Sequence, residues 1–300
     1  MNLCKVLETD ADHLVQKVHS FDKSKIKYPC IVQEKYDGVY CIACRENGEI
    51  HIFSRTGKEY FSMHHLKDVI DRLLFINSSD ILIFEAYCDS VPQSTISGWC
   101  RDEQSQHPEI KGIAHDCLTY GEYFGRDKTT YKSRFDHLTI TFDVVDPNPL
   151  FELPEQITAQ YYGEVESYAN TVWGRDGEGI VIKNPNAAYK RGKRNYDLMK
   201  LKREVSYDLK VVALEEGKGK YKGMVGKLVC QWKNGKTIKV GSGLTDKQRK
   251  AWWDRCNYTD FYKGIVGKIV QIDAMGESSK GQLREPIFKG VRYDKEKGDF

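Results

Sequence analysis

The stretch Glu34-Lys35-Tyr36-Asp37-Gly38 carries the most chemistry per residue in this 300-residue chain. A lysine amine is a poor nucleophile while protonated, with an ordinary pKa of ~10.4. Neighbouring cations or desolvation favour the neutral, reactive form. In isolation, a lysine two residues ahead of Asp-Gly reads equally well as a solvated surface turn. Its companions along the chain weigh against that. Ser54-Arg55-Thr56-Gly57 comes next, then Glu85 near the end of ILIFEAY, and Phe142-Asp143 within LTITFDVV. Glu178-Gly179-Ile180-Val181-Ile182-Lys183 and Lys200-Leu201-Lys202 follow, with Arg284 and Arg292-Tyr293-Asp294-Lys295 near the end. On an extended segment Lys200 and Lys202 project from one face. Flanked by Leu198, Met199 and Leu201, they are costly to bury unless an anion such as a phosphate lies opposite. Glu85 and Glu178, at strand ends among apolar residues, read in isolation as carboxylates paired to nearby lysines.

Apolar periodicity predicts the elements that position these residues. Leu14, Val15 and Val18 behind Thr9 predict a helix over 9–20. Residues 31–33 read as a short strand, and 39–45 and 49–54 as a hairpin turning at Asn47-Gly48. Leu66, Val69, Ile70, Leu73 and Leu74 predict an amphipathic helix over 63–76. The β-branched and aromatic runs 81–87 and 138–145 read as buried strands, and 177–184 as another. Residues 88–136 are polar and unassigned; a stretch of that length should be functional or hold its own short elements. Beside the Glu85 strand, it is expected to engage the substrate. Strand-like runs at 207–215, 225–232, 236–241, 266–274 and 286–293, with a helix at 245–256 after the third, suit a small, partly open barrel of the OB type. Trp232, Trp252 and Trp253 read as its core. The boundary falls near Glu204–Ser206, dividing residues 1–205 from 206–300.

Apolar residues make up 40% of the chain and aromatics 12%, enough for a buried core, while 30% charged residues and a mean hydropathy of −0.58 predict a soluble protein. No apolar run reaches the ~20 residues needed to cross a bilayer, and MNLCKVLETDADHL lacks a signal-peptide pattern, which predicts the cytoplasm, or the host cytoplasm if the source is viral. The net charge of +3 hides an asymmetry: residues 183–300 hold 28 Lys+Arg against 14 Asp+Glu, while residues 1–182 carry a net −11. A basic final two-fifths predicts a polyanionic partner. Lys190, Arg191, Lys193 and Arg194, in the aperiodic run AYKRGKRN, are candidate phosphate contacts. The nine cysteines, an odd count, predict free thiols. Cys41 and Cys44 form a CxxC on a strand, where they point to opposite faces and cannot readily share a metal.

The ordered set of motifs resembles the covalent nucleotidyltransferase superfamily, most closely the ATP-dependent DNA ligases of compact bacteriophage type, over residues 30–297. GKGKYKGMVGKLVC, IKVGSGLTDKQR and LREPIFKGVRYDK resemble the OB domain of these ligases. The resemblance implies an α+β fold: an adenylation domain of antiparallel sheets with helices, followed by an OB-fold β-barrel. It implies sealing of 5′-phosphate/3′-hydroxyl nicks in duplex DNA by a monomer, using ATP and Mg²⁺ or Mn²⁺, in replication, repair or recombination. Lys35 would be the nucleophile that becomes adenylylated, and Gln33 would contact the adenine amino group. Glu85 would bind the ribose hydroxyls and Glu178 a divalent metal, with Glu85 a second candidate metal ligand. Phe142 would stack on adenine, and Lys183, Lys200 and Lys202 would line the nucleotide phosphates. Arg55 would grip the nick 5′-phosphate, a task suited to a planar fork. Arg284, Arg292, Asp294 and Lys295 would act on the β- and γ-phosphates in the first step. In one departure, Tyr40 stands where many members carry an arginine. The rival readings are an RNA ligase or mRNA-capping guanylyltransferase, which share the lysine motifs, an NAD-dependent ligase, and a non-catalytic nick-binding protein.

Overall fold

The computed structural model describes residues 1–257, 264–278 and 281–300. Two compact units divide the chain, Met1–Lys202 and Arg203–Phe300. In chain order the first unit holds α1 (Leu3–Val6), β1 (Lys17–Ser20), β2 (Cys30–Glu34), β3 (Val39–Glu46), β4 (Glu49–Ser54), β5 (Glu59–Tyr60), α2 (Lys67–Asn77), β6 (Ile81–Tyr87) and α3 (Gln93–Cys100). It continues with β7 (Lys111–Leu118), α4 (Tyr120–Tyr123), α5 (Tyr131–Val145), β8 (Phe151–Glu152), β9 (Gln156–Ala159), α6 (Tyr162–Gly174), β10 (Gly179–Lys183) and β11 (Arg194–Lys202). They form two sheets, of order β5-β4-β3-β6-β7-β8 and β1-β11-β10-β2-β9. Pairing is antiparallel except at β1–β11 and β7–β8.

The β3–β4 hairpin turns at Asn47 and Gly48, both at positive φ, as a tight two-residue connection requires. Its strands carry alternate residues to opposite faces. Cys41 joins the apolar cluster under α2 and α5, and Cys44 the cluster around α1 and Tyr123. Eight cysteines are free thiols; the Cys256 side chain lies outside what is described. In α2, Val69, Ile70, Leu73 and Leu74 are buried at helical spacing, and the helix ends at Ser78 in the left-handed region.

Two expectations fail in this unit. The run 138–145 is not a strand but the second half of α5, capped by Thr130 accepting from the Ser133 amide. Its buried residues, Tyr131, Arg134, Phe135, Leu138 and Thr141, follow a helical period that starts upstream of the β-branched run. Packing against α2 overrides the strand propensity of that run. The helix expected over 9–20 is instead a 3₁₀ turn, Ala11–His13, capped by Asp10, followed by β1 along β11. Leu14 and Val15 are buried without a helix around them. Residues 88–136 do hold elements of their own: β7, an interior strand between β6 and β8, together with α3 and α4.

The second unit holds β12 (Val205–Glu216), β13 (Val225–Gln231), β14 (Thr237–Val240), α7 (Asp246–Asn257), β15 (Ile269–Ala274) and β16 (Ile287–Val291) in one antiparallel sheet of order β14-β13-β12-β15-β16. The sheet does not close, in keeping with the partly open barrel expected. Among the described residues, a single bridge, Ser242 to Ile287, joins the two ends of the sheet. Trp232 is buried in the core of this unit, with Trp252 and Trp253 packed against it. Thr245 and Gln248 cap α7 reciprocally, at 3.2 and 2.9 Å. Arg249, buried on that helix, donates to the Val225, Gly226 and Gly241 carbonyls. No helix among the described residues is long and apolar enough to cross a membrane.

Candidate active site

Lys35 follows directly on β2, and its amide donates to the Gly179 carbonyl (2.9 Å), extending the antiparallel pairing of β2 with β10. That register brings Glu178, just before β10, to the lysine: Lys35 Nζ lies 2.6 Å from Glu178 Oε2. β11 pairs on the other side of β10, with Lys202 opposite Gly179 and Lys200 opposite Val181. Lys202 Nζ is 2.7 Å from Glu178 Oε1, so one carboxylate bridges two ammonium groups. Cys30, Val32, Ile180, Ile182 and Met199 pack beneath the sheet against α6. By the period-two rule, Gln33, Lys183, Lys200 and Lys202 share the opposite face.

Glu85 arrives from the other sheet. It lies on β6 opposite Tyr40 of β3, within electrostatic reach of Lys35. Gly38 permits this approach, because a Cβ there would stand 2.4 Å from the Ala86 carbonyl oxygen and 2.6 Å from Glu85 Cγ. A cleft of about 280 Å³ opens beside Lys35, with Asp37, Tyr87, Pro92 and Glu178 in its walls.

The electrostatics reverse one expectation. Burial works to lower the Lys35 pKa, but Glu178 and Glu85 outweigh it and hold the amine above its ordinary value, as an ammonium. The depressed amine is Lys183. It is buried, pushed down to about 7 by desolvation, with Arg134 adding and Asp116 opposing. Its Nζ lies 3.0 Å from the Tyr131 hydroxyl and 4.2 Å from that ring's centre. Asp116 and Arg134 beside it form a buried two-pronged pair at 2.9 and 2.8 Å.

Phe142 is not at this site. It sits on α5, packed against the core cluster beneath the six-stranded sheet. The aromatic–aspartate pair that reaches the site is His115-Asp116 on β7. His115 is the extra residue where the β6–β7 register slips, since Ile83 pairs with Asp116 and Phe84 with Ala114; such a bulge re-aims a side chain. His115 Nε2 lies 3.7 Å from Glu85 Oε2. Burial, with the nearby charges of Lys183 and Lys35, lowers its pKa against the pull of Glu85. An aromatic-Asp pair closing the run GIAHD was the available signal, hidden because the histidine interrupts the apolar pattern.

The other expected residues are each described within their own unit. Arg55 is exposed in the turn after β4. Tyr40 is hydrogen-bonded to Tyr189. In the basic run, Lys190 binds Asp197 at 2.7 Å, alongside Lys27 and Asn184, and Arg191 rests on the rings of Phe124 and Tyr123, at 4.9 and 5.3 Å. Lys193 and Arg194 are exposed. In the second unit Arg292 grips Asp208 (2.9 Å) and Asp294 (2.7 Å), and Lys295 also binds Asp208. Arg284 lies where the chain pairs its backbone with Met275 and Gly276.

No group of three metal-ligating side chains occurs among the described residues. Two carboxylates facing one lysine nevertheless fit Mg²⁺ or Mn²⁺, which commonly take one or two carboxylates and complete their shell with water and phosphate oxygens.

Comparison with known proteins bears on the whole arrangement. A family model described as an ATP-dependent DNA ligase domain matches residues 12–202, and one described as a DNA ligase OB-like domain matches residues 216–292. A DNA ligase of African swine fever virus (isolate Warthog/Namibia) is 27% identical over 275 residues, covering 86% of this chain and 64% of the viral protein. A DNA ligase of Haemophilus influenzae is 34% identical over 104 residues, 35% of this chain and 38% of that protein. The chain thus matches less than two-thirds of the length of either relative. Among solved structures, one from work on DNA binding with a minimal scaffold by Lig E DNA ligases superposes with a TM-score of 0.72 at 22% identity, covering 93% of this chain and 98% of that one. The ATP-dependent ligase of bacteriophage T7, solved with ATP, gives 0.55 at 20% identity, covering 93% and 99%. At these identities the structures speak to fold alone. The first family model spans more than half of the residues and contains the lysine, both glutamates and the paired strands that bring them together: the chain belongs to the ATP-dependent DNA ligase family.

Proposed function

We propose that this chain seals nicks in duplex DNA that carry a 5′-phosphate and a 3′-hydroxyl, using ATP. The observation that carries the reading is Lys35, held 2.6 Å from Glu178 on a sheet face that also bears Lys183, Lys200 and Lys202. In the first step Lys35 Nζ forms a bond to the ATP α-phosphorus, the bond to the β-phosphate oxygen breaks, and pyrophosphate leaves. The Lys35 proton must go first, and Glu178 Oε2 is the acceptor at hydrogen-bond distance. AMP then passes from Lys35 to the nick 5′-phosphate, and the 3′-hydroxyl attacks that phosphate and releases AMP. Glu85 and Glu178 would hold Mg²⁺ or Mn²⁺, which offsets phosphate charge when bound. Lys200 and Lys202 line the phosphates, Gln33 reads the base, Glu85 meets the ribose, and His115 supplies the ring expected of Phe142. Arg55, Lys193 and Arg194 meet DNA phosphates. Arg284, Arg292, Asp294 and Lys295 serve the β- and γ-phosphates. The protein is read as a monomer of the cytoplasm.

The test is sealing of a labelled nicked duplex with ATP and Mg²⁺, beside the mass of the covalent adduct. An AMP adduct and a joined strand are expected. A GMP adduct would favour the capping reading instead. Lys35→Ala should abolish adduct and joining while leaving nick binding largely intact, and joining that survives the substitution would overturn the nucleophile assignment.

A further inference from the structure

Arg175 stands three residues before Glu178, where α6 gives way to β10. The turn between them is closed by two backbone bonds. The Asp176 amide donates to the Trp173 carbonyl (3.2 Å) and the Gly177 amide to the Val172 carbonyl (2.9 Å), with Asp176 at positive φ. This is the helix-ending pair that satisfies the last carbonyls of α6, and Glu178 is the next residue along. The turn lies close to β2: a Cβ on Gly177 would stand 2.4 Å from Val172 Cγ1 and 3.1 Å from Glu34 Oε1. Glu34, immediately before Lys35, alternates with it and shares the α6 side of the sheet with Cys30 and Val32. Its side chain is 14% accessible, and a carboxylate so far out of water is costly unless paired. Burial raises the Glu34 pKa, and Arg175 works against that rise. Arg175 Nη2 donates to Glu34 Oε2 and, at 2.5 Å, to Glu155 Oε2. The Glu155 carbonyl also accepts the Glu34 amide at 3.1 Å, just ahead of β9. One guanidinium therefore joins three pieces of backbone: the end of β2 that leads to Lys35, the residue before β9, and the turn that leads to Glu178. It does so from the side of the sheet opposite Lys183, Lys200 and Lys202, and so acts through the residues it holds.

We propose that Arg175 is a positioning residue for nucleotidyl transfer: by clamping Glu34 and Glu155 it fixes the 175–178 turn against β2 and so sets the reach of Glu178 to Lys35. This rests on the reading of Lys35 as the nucleophile and Glu178 as its proton acceptor, and deepens it. Without the guanidinium, Glu34 and Glu155 are left as two like charges beside the turn, and the turn settles away from β2. A proton transfer across 2.6 Å tolerates little of that, since a shift of about 1 Å costs on the order of 10²-fold in rate.

The experiment follows adduct formation by the full chain with radioactive ATP in a rapid-quench apparatus, beside melting curves that establish folding. Arg175→Ala should lower the limiting rate by ~10–100-fold and move the half-saturating ATP concentration by no more than ~2-fold. Arg175→Lys keeps a cation able to meet both carboxylates and should recover most of the rate. Glu34→Gln keeps the shape and removes the charge; it should slow the limiting rate in the same way, which keeps the proposal testable if Arg175→Ala fails to fold. In a Glu178→Gln background the Arg175→Ala loss should shrink to ~2-fold or less, because residues that act through one another do not add. The clamp is overturned by an undiminished limiting rate in the folded variants, by a loss confined to ATP affinity, by no recovery in Arg175→Lys, or by the full loss persisting on top of Glu178→Gln. Each of those results leaves the Lys35 reading standing. A wild type that forms no adduct overturns the Lys35 reading and the clamp together.

Discussion

Glu178 holds two ammonium groups at once, Lys35 at 2.6 Å and Lys202 at 2.7 Å, and this bridging sets the resting state of the proposed nucleophile. Glu178→Gln keeps the shape but removes the proton acceptor, so adduct formation should fall by ~10²–10⁴-fold, the usual worth of a positioned acid or base; rapid-quench labelling with radioactive ATP would measure it. Lys183 makes a separate prediction, readable in stability. Its pKa is about 7 in the folded chain and ~10.4 when unfolded. Between those values the unfolded chain holds a proton that the folded chain lacks, so this group makes stability rise with pH across that window. Below pH 7 both forms are protonated and its penalty is constant at its largest. Lys183→Met should therefore stabilise the protein most at pH 7 and below, with the advantage shrinking towards pH 10, as urea denaturation at several pH values would record. A gap independent of pH would mean that the buried amine is not neutral.

At the scale of elements, the site depends on β3 and β6 approaching closely at Gly38. Gly38→Ala places a Cβ against the Ala86 carbonyl and the stem of Glu85, which displaces a carboxylate facing Lys35. A positioning error of about 1 Å costs on the order of 10²-fold in rate, and that loss is expected in adduct formation, measured beside a melting curve. Excising 88–136 removes the interior strand β7, the buried Asp116–Arg134 pair and the first turn of α5, so the first unit should lose its near-ultraviolet circular dichroism altogether. These elements also show what sequence reveals. The β3–β4 hairpin, β6, β10 and the strands of the second unit are legible because alternation or a continuous apolar run coincides with Gly and Asn turn signals. β7 is not, because its bulge carries His115 and Asp116, which break the apolar run for the sake of the site. α5 misleads because its β-branched residues include exposed Ile140 and Val144, 60% and 64% accessible, while its buried helical stripe begins seven residues before the run read as a strand. The motif lysines and glutamates were legible as residue types at ordered intervals. That the Lys35 pKa is held above its ordinary value while that of Lys183 is pushed down follows only from how the folded sheets bury each amine and which carboxylates they bring near.

For the chain as a whole, the net +14 of residues 183–300 is the electrostatic basis of the proposed contact with DNA, but not all of that charge is equally available. Lys190, Lys239, Lys289 and Arg292 each already lie within 3.2 Å of a carboxylate, so a phosphate must compete for them. Lys193 and Arg194 are exposed, next to one another on the same stretch. A cation that neutralises a DNA phosphate releases condensed counterions, and each such contact steepens the dependence of log K on log salt by ~0.9. Replacing both Lys193 and Arg194 by alanine should flatten that slope for nicked duplex by up to about 2 and leave adduct formation with ATP unchanged. Lys190→Ala should behave differently. Burial opposes ionisation of Asp197, but hydrogen bonds from Asn184, Lys190 and Lys27 hold its pKa far below the carboxylate range. Its contribution to stability is therefore present above the unfolded carboxylate pKa and lost as pH falls through the folded value. Removing Lys190 should lower the melting temperature at pH 7, with the difference from wild type narrowing as acid protonates Asp197, and should change the salt slope by less than either exposed cation does. Fluorescence anisotropy over 50–300 mM salt, paired with melting curves at pH 7 and at steps below pH 4, separates the two roles. If Lys190→Ala flattened the slope as much as the exposed pair and left the melt unmoved, the division of this basic run into a structural half and a DNA-facing half would be wrong.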